Sequence, residues 1–223
     1  MSLNFPEFDR SRLIVDTLDH RDHLLDLSCI KALNDVKEID SKLLNVASRI
    51  KKAKLNDSSI VLMMGAHVLR SGMQHYIIDL MKKGLISCIA LNGAGVIHDF
   101  EFALVGATTE SVADYIRKGQ FGLWKETGLI NEIVSSAANE NLGLGEAVGR
   151  YIEKEKLPNR EVSLLGSAYR YGCPVTVHVG IGNDILHEHP NCNGAAYGQT
   201  SYTDFLRFTH VLESLEGGVI MNF

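Results

Sequence analysis

Three glycine-rich turns carry most of the side chains that could do chemistry. They are Gly65-Ala66-His67, Asn92-Gly93-Ala94-Gly95 with His98-Asp99 behind it, and Gly180-Ile181-Gly182-Asn183-Asp184. Glycine admits a ligand close to the backbone, and a helix that starts in such a turn offers free N–H groups to a phosphate. A histidine in the first helical turn can move a proton near neutral pH, and an aspartate there can hold an amine or a ribose hydroxyl. Each turn alone is equally a tight strand-to-helix connection, and Asp99 alone equally a partner for the helix dipole. Together they point to a small-molecule site.

The second turn reads Gly93-x-Gly95-x-x-His98, which lacks the third glycine of the dinucleotide fingerprint. No acidic residue stands at a second strand end ~20 residues on, so the pattern argues against a standard Rossmann dehydrogenase. A separate cluster, His178 with His187, His189 and Cys192, has the residue types of a zinc site. A metal-assisted hydrolase using His178, His187 and His189 is therefore a lesser alternative. No HExxH or CxxC spacing supports it, and the expectation is that no metal is bound.

The elements that must position these residues follow from periodicity. Continuous apolar runs at 59–64 and 85–91 suit strands buried on both faces, and 174–179 and 218–223 read as further strands. Ile39, Leu43, Val46, Ala47 and Ile50 recur at helical spacing. Further helices are predicted over 68–83, 96–105, from Thr108-Thr109 to near Gly119, and over 129–140, 144–156 and 162–171. After a polar loop over 180–200, Ser201 and Asp204 resemble a capping box that starts a last helix. Strands alternating with helices mean a mostly parallel sheet with helices on both faces, a Rossmann-like three-layer α/β sandwich. In such a sheet the three turns share the carboxyl edge, where ligands bind.

Residues 1–38 are expected to form an arm packed on the main body or a neighbour, and 39–223 a single domain. The sequence stops inside an apolar strand, so either the C-terminus closes the sheet or the chain is C-terminally incomplete. The net charge of −5 offers no basic excess for nucleic acid. No apolar run reaches the ~18 residues of a membrane span, and no signal region opens the chain. The four cysteines show no close pairing pattern. A cytoplasmic protein with reduced thiols is the expectation.

Residues 63–121 resemble the deoxyhypusine synthase family, most nearly its bacterial and archaeal deoxyhypusine synthase-like members. The resemblance rests on Gly65 through Gly72, on Ile77-Ile78-Asp79-Leu80-Met81, and on Asn92-Gly93-Ala94-Gly95-Val96-Ile97-His98-Asp99. A weaker continuation runs over 174–184. It implies an NAD-binding fold of the deoxyhypusine synthase type and a homotetramer with sites between paired subunits. The implied activity is aminobutyl transfer from spermidine or a related polyamine to an amine, including a protein lysine acceptor. By position, Gly65, His67 and Ser71 fall in the first NAD-binding loop. Asn92, Gly93, Gly95, His98 and Asp99 fall in the second, and Asn183 and Asp184 near the third. His98, Asp99 and Asp184 are the candidate catalytic residues, and the others contact the cofactor. Two departures stand out: Ile97 and His98 replace the family's two glutamates, and no lysine follows Lys156 to form the family's imine. A nucleotide- or metabolite-binding homologue without catalysis is the other reading.

Overall fold

A computed structural model describes residues 5–35 and 38–223. A short antiparallel pair joins Leu25–Asp26 (β1) to Ala107–Thr108 (β4). The main sheet holds Ile60–Met64 (β2), Cys88–Asn92 (β3), Val175–His178 (β5) and Val219–Asn222 (β6), all parallel, in the order β5-β3-β2-β6. Val61 lies opposite both Cys88 and Ile220, and Ile89 opposite Val175. The continuous apolar runs of β2 and β3 form the sheet centre, buried on both faces. The strand β6 lies at an edge and is half-exposed, where its apolar sequence suggested burial.

The helices are Ser41–Leu55 (α1), Ala66–Arg70 (α2), Gln74–Lys82 (α3), Gly93–Val105 (α4), Val112–Arg117 (α5), Leu129–Asn139 (α6), Leu144–Lys154 (α7), Leu164–Tyr171 (α8) and Gly194–Leu212 (α9). Side-chain caps set several starts: Asp40 for α1, Asn92 for α4, Ser111 for α5, Ser163 for α8 and Asn193 for α9. The chain has a Rossmann-like α/β fold. Among the described residues no helix is long and apolar enough to cross a membrane.

Three expectations need correction. The single helix over 68–83 is two, broken at Gly72, whose φ of 78° ends α2. The arm crosses there: Lys31 N–H donates to the Gly72 carbonyl, and a Cβ on Gly72 would collide with the Cys29 backbone. Second, α5 starts behind Ser111, not at Thr108-Thr109, because Thr108 is spent in β4. Third, α9 starts a full two turns before Ser201. The Asn193 side chain accepts from the Ala195 and Ala196 N–H groups, so the last third of the expected loop is helix.

Ser201 and Asp204 consequently face the protein interior and cap no helix of their own. Ser201 Oγ donates to the Val177 carbonyl at the end of β5. Asp204 is fully buried, and its Oδ2 accepts from Gly145 N–H of α7 and Val177 N–H of β5, both at 3.0 Å. It thereby ties three elements together. Its other oxygen, Oδ1, is buried with no partner. Burial outweighs the backbone hydrogen bonds and pushes the Asp204 pKa up to about 6.

A raised folded-state pKa means the folded chain keeps a proton that the unfolded chain releases near its ordinary value of about 3.9. This contribution to stability is complete below that value and is lost as the pH rises through about 6. Urea unfolding of the wild type and Asp204→Asn is therefore expected to give a stability difference that shrinks, on the order of 2 kcal/mol, between about pH 4 and pH 7. A pH-independent difference would contradict the assignment.

Candidate functional site

The carboxyl ends of the central strands open on a cleft of about 390 Å³, lined in part by Arg70, Asn92, His98, Phe121, Asn183 and Asp184. Asn92 ends β3 and caps α4, its Oδ1 accepting from Gly95 N–H at 3.0 Å. This cap turns the chain directly from strand into helix and places His98 in the second turn of α4. A shallower groove continues from Asn183 and Asp184 toward His187 and Glu188.

His98 is held from behind. Its Nδ1 lies 2.7 Å from Thr108 Oγ1, and Thr108 lies 2.6 Å from Glu101 Oε2. Glu101, one turn further along α4, is buried and forms a two-pronged ion pair with Arg21: Nη1 to Oε1 at 2.9 Å and Nη2 to Oε2 at 2.7 Å. Thr127 Oγ1 donates to the same carboxylate at 2.7 Å. Burial works to raise the Glu101 pKa, but the Arg21 bonds and charge and the two hydroxyls outweigh it, so the carboxylate stays charged. Burial drives the His98 pKa down to about 4, against the pull of Glu101 and with the nearby cations Arg70 and Arg21. The imidazole is neutral at physiological pH.

Arg21 belongs to the middle of the arm, which packs on the body there, whereas residues 5–12 are exposed. Leu18 of the arm is buried with Tyr115 and Trp124, and Asp16 exchanges backbone hydrogen bonds with Leu123 and Lys125. The Arg21 guanidinium lies 5.6 Å from the centre of the Trp124 ring. Nothing in the sequence pattern marks Arg21 or Glu101 as partners, because 80 residues separate them.

The other sequence candidates divide. Asn92, His98, Asn183 and Asp184 line the cleft together. The Asp184 carboxyl lies against Gly93, where a Cβ would displace it. It makes no hydrogen bond among the described residues, and burial raises its pKa, with His187 opposing. Gly95 serves packing: a Cβ there would meet the Leu91 side chain at 2.5 Å, so this glycine lets α4 lie against β3. Gly65 caps α2 without lining the cleft. His67 is exposed, and its Nε2 is 3.4 Å from Arg70 Nη1. Ser71 is exposed at the far end of α2.

Asp99 is placed away from the cleft. Its carboxylate is buried, accepting from Ser163 Oγ at 2.5 Å, Leu164 N–H at 2.7 Å and Leu165 N–H at 3.1 Å. It caps α8 and pins that helix to α4. Two neighbours in sequence on a helix point about 100° apart, so His98 and Asp99 cannot both face one ligand.

The histidine cluster also disperses. Among the described residues no three His, Cys, Asp or Glu side chains gather as a metal site. His189 is buried with Nε2 donating to the Gly122 carbonyl at 2.6 Å, His187 lies edge-on to Tyr197, and His178 edge-on to Phe208. The metal-assisted hydrolase loses its support.

Sequence reasoning missed Arg70, whose Nε is buried without a partner and which forms no ion pair among the described residues. It also missed Thr108. Arg70 stands five residues beyond Gly65, and a cation so near a glycine turn was the available signal.

No protein-family profile matches the chain, and no curated protein matches it. Solved structures match its fold. The apo structure of ArgZ, an arginine dihydrolase of the ornithine-ammonia cycle in Cyanobacteria, is 14% identical with a TM-score of 0.51, over 85% of this chain and 24% of that one. The ternary complex of AgrE with ornithine and NAD+ is 14% identical with a TM-score of 0.52, over 85% of this chain and 26% of that one. The chain thus spans about a quarter of the length of these structures. A deoxyhypusine synthase candidate from Entamoeba histolytica, 13% identical over 66% of this chain and 63% of that one, has a TM-score of 0.39, too low to carry an argument. At such identities the likeness establishes the Rossmann-like fold alone.

Removing Arg21 leaves a buried carboxylate without its counter-charge. Arg21→Ala is expected to lose ~3–5 kcal/mol of unfolding free energy. Denaturant titration showing a loss under about 1 kcal/mol, the size of an exposed pair, would contradict this.

Proposed function

We propose that the chain is an NAD-dependent enzyme of the deoxyhypusine synthase type, acting on spermidine or a related polyamine and passing an aminobutyl group to an amine acceptor. The observation that carries this reading is His98, an imidazole kept neutral by burial at the carboxyl edge of a Rossmann-like sheet, inside a cleft that also holds Arg70, Asn92 and Asp184. The residues fit a dinucleotide. Arg70 is a cation with an orphaned Nε, and the first-turn N–H groups of α4 have no carbonyl partners within the helix. Asp184 opposes an anion directly at Gly93 and suits a cationic group beside it. The fold likeness to part of a protein solved with NAD+ adds support.

NAD, when bound, supplies an acceptor for the hydride on the carbon beside a secondary amine. The chain's own residues bind the amine, take its proton and exclude water. Asp184 meets an ammonium group of the polyamine. His98 takes the proton of the reacting nitrogen on its cleft-facing ring nitrogen. Ile97, Phe121 and Ile185 line the cleft and keep the reacting carbon dry. With NAD bound, the substrate carbon would become open to attack by the acceptor amine with departure of the diamine, and the hydride the cofactor had taken would be available to complete the transfer. None of the described residues lining the cleft is a lysine, and in the proposed reading the group passes directly to the acceptor.

A second reading is a metabolite-binding protein without turnover, favoured by the lack of a lysine among the described cleft-lining residues. Incubation with NAD, labelled spermidine and an amine acceptor separates the two. Labelled transfer product is expected, with no label fixed on this chain by borohydride. NAD binding without product would support the second reading. An aminobutyl adduct on any lysine of the chain would overturn direct transfer.

A further inference from the structure

Glu101 is the end of a chain of hydrogen bonds whose direction can be counted out. Its carboxylate is ionised and has no hydrogen to give; Oε1 accepts from Arg21 and Thr127, and Oε2 accepts from Arg21 and Thr108. The single hydroxyl hydrogen of Thr108 is therefore committed to Glu101 at 2.6 Å. What Thr108 presents to His98 is a lone pair, so the 2.7 Å contact needs a hydrogen on His98 Nδ1. A neutral imidazole has only one such hydrogen. Its Nε2 is then bare, and no group among the described residues bonds to it.

We infer that Thr108 is a positioning residue that fixes His98 as the Nδ1–H tautomer, leaving Nε2 in the cleft as an acceptor for an N–H or O–H of the ligand. The order Arg21–Glu101–Thr108–His98 makes the tautomer a property of the buried ion pair, through four residues from three elements: the arm, α4 and β4. Free histidine in water favours the opposite tautomer, so the arrangement has a cost that the fold meets through Glu101. The groups that face His98 agree with an uncharged ring. Arg70 and His67 from α2 and Arg21 from the arm disfavour an imidazolium, and Glu101 alone favours it. A ligand whose nearest group is only an acceptor finds no hydrogen at Nε2. The site selects for a donor, such as the protonated or neutral amine of a polyamine.

The role of His98 as proton acceptor rests on the amine chemistry proposed above, whereas the tautomer does not, so the two can fail separately. Long-range proton–nitrogen correlation spectra of the ¹⁵N-labelled full chain near pH 7 read the tautomer directly, with His98→Gln identifying the signals. His98 is expected to show a protonated Nδ1 and an unprotonated Nε2. Thr108→Val should make the Nε2–H form the major one, and Thr108→Ser should restore the wild-type pattern. In the transfer assay Thr108→Val is expected to lose at least ~10²-fold in kcat with little change in KM, as befits a displaced general base. A protonated Nε2 in the wild type would overturn the inference even if no variant folds. So would a Thr108→Val spectrum identical to that of the wild type. A wild-type Nδ1–H tautomer in a chain that turns over no amine would leave the inference standing and sink the proposed function.

Discussion

A buried negative charge organises this molecule. Glu101 is 2% exposed, and a lone carboxylate at that depth would cost several kcal/mol. The Arg21 guanidinium and two threonine hydroxyls compensate it, and each comes from a different stretch of chain. The arm must therefore fold back onto the body to deliver Arg21. That return path is fixed by Leu18 in its small core with Tyr115 and Trp124, by the β1–β4 pairing and by the crossing at Gly72. The candidate site sits directly on this arrangement, since the Thr108 hydroxyl that completes the carboxylate also anchors His98. Stability and site geometry share one set of contacts.

The cleft itself is bipolar. Arg70 and the start of α4 favour negative charge, while Asp184 leans on Gly93 at the same turn. A ligand carrying only phosphate would work against Asp184, and one carrying only ammonium would work against Arg70. A dinucleotide beside a polyamine supplies both charges, which is why the two are proposed together. A second cleft of about 360 Å³ at the opposite edge of the sheet, lined by Gly145, Tyr169, Cys173 and Val175, lacks this character. There Arg207 is already paired with Glu146 at 2.5 Å, and burial pushes the Cys173 thiol up to about 12, leaving it inert.

Much of the fold was legible in the sequence because strands buried on both faces are written as continuous apolar runs, and β2 and β3 are such runs. The edge strand β6 has the same apolar character with one side unpaired, so burial could not be read from composition. Helix breaks were harder. The break at Gly72 is imposed by the arm crossing it, a contact between residues some 40 apart in sequence. The start of α9 was hidden because Gly194, Gly198 and the small residues between them look like loop, although Asn193 caps them into a helix. Of the residues in the glycine-rich turns, Asn92, Asn183 and Asp184 line the cleft. Adjacent His98 and Asp99 were read as a pair, and helical geometry sends one to the ligand and the other to cap α8. Tertiary partners decided the rest: Arg21, Glu101 and Thr108 acquire meaning only when three distant segments meet.

Amide chemical-shift mapping of the full chain during titration with NAD is the sharpest test of whether the carboxyl-edge cleft is the site proposed for it. Saturable shifts confined to Arg70, Asn92 through His98 and Asn183-Asp184 are expected. Shifts confined to Gly145 through Val175 at the other edge, or none at saturating NAD, would contradict the proposal.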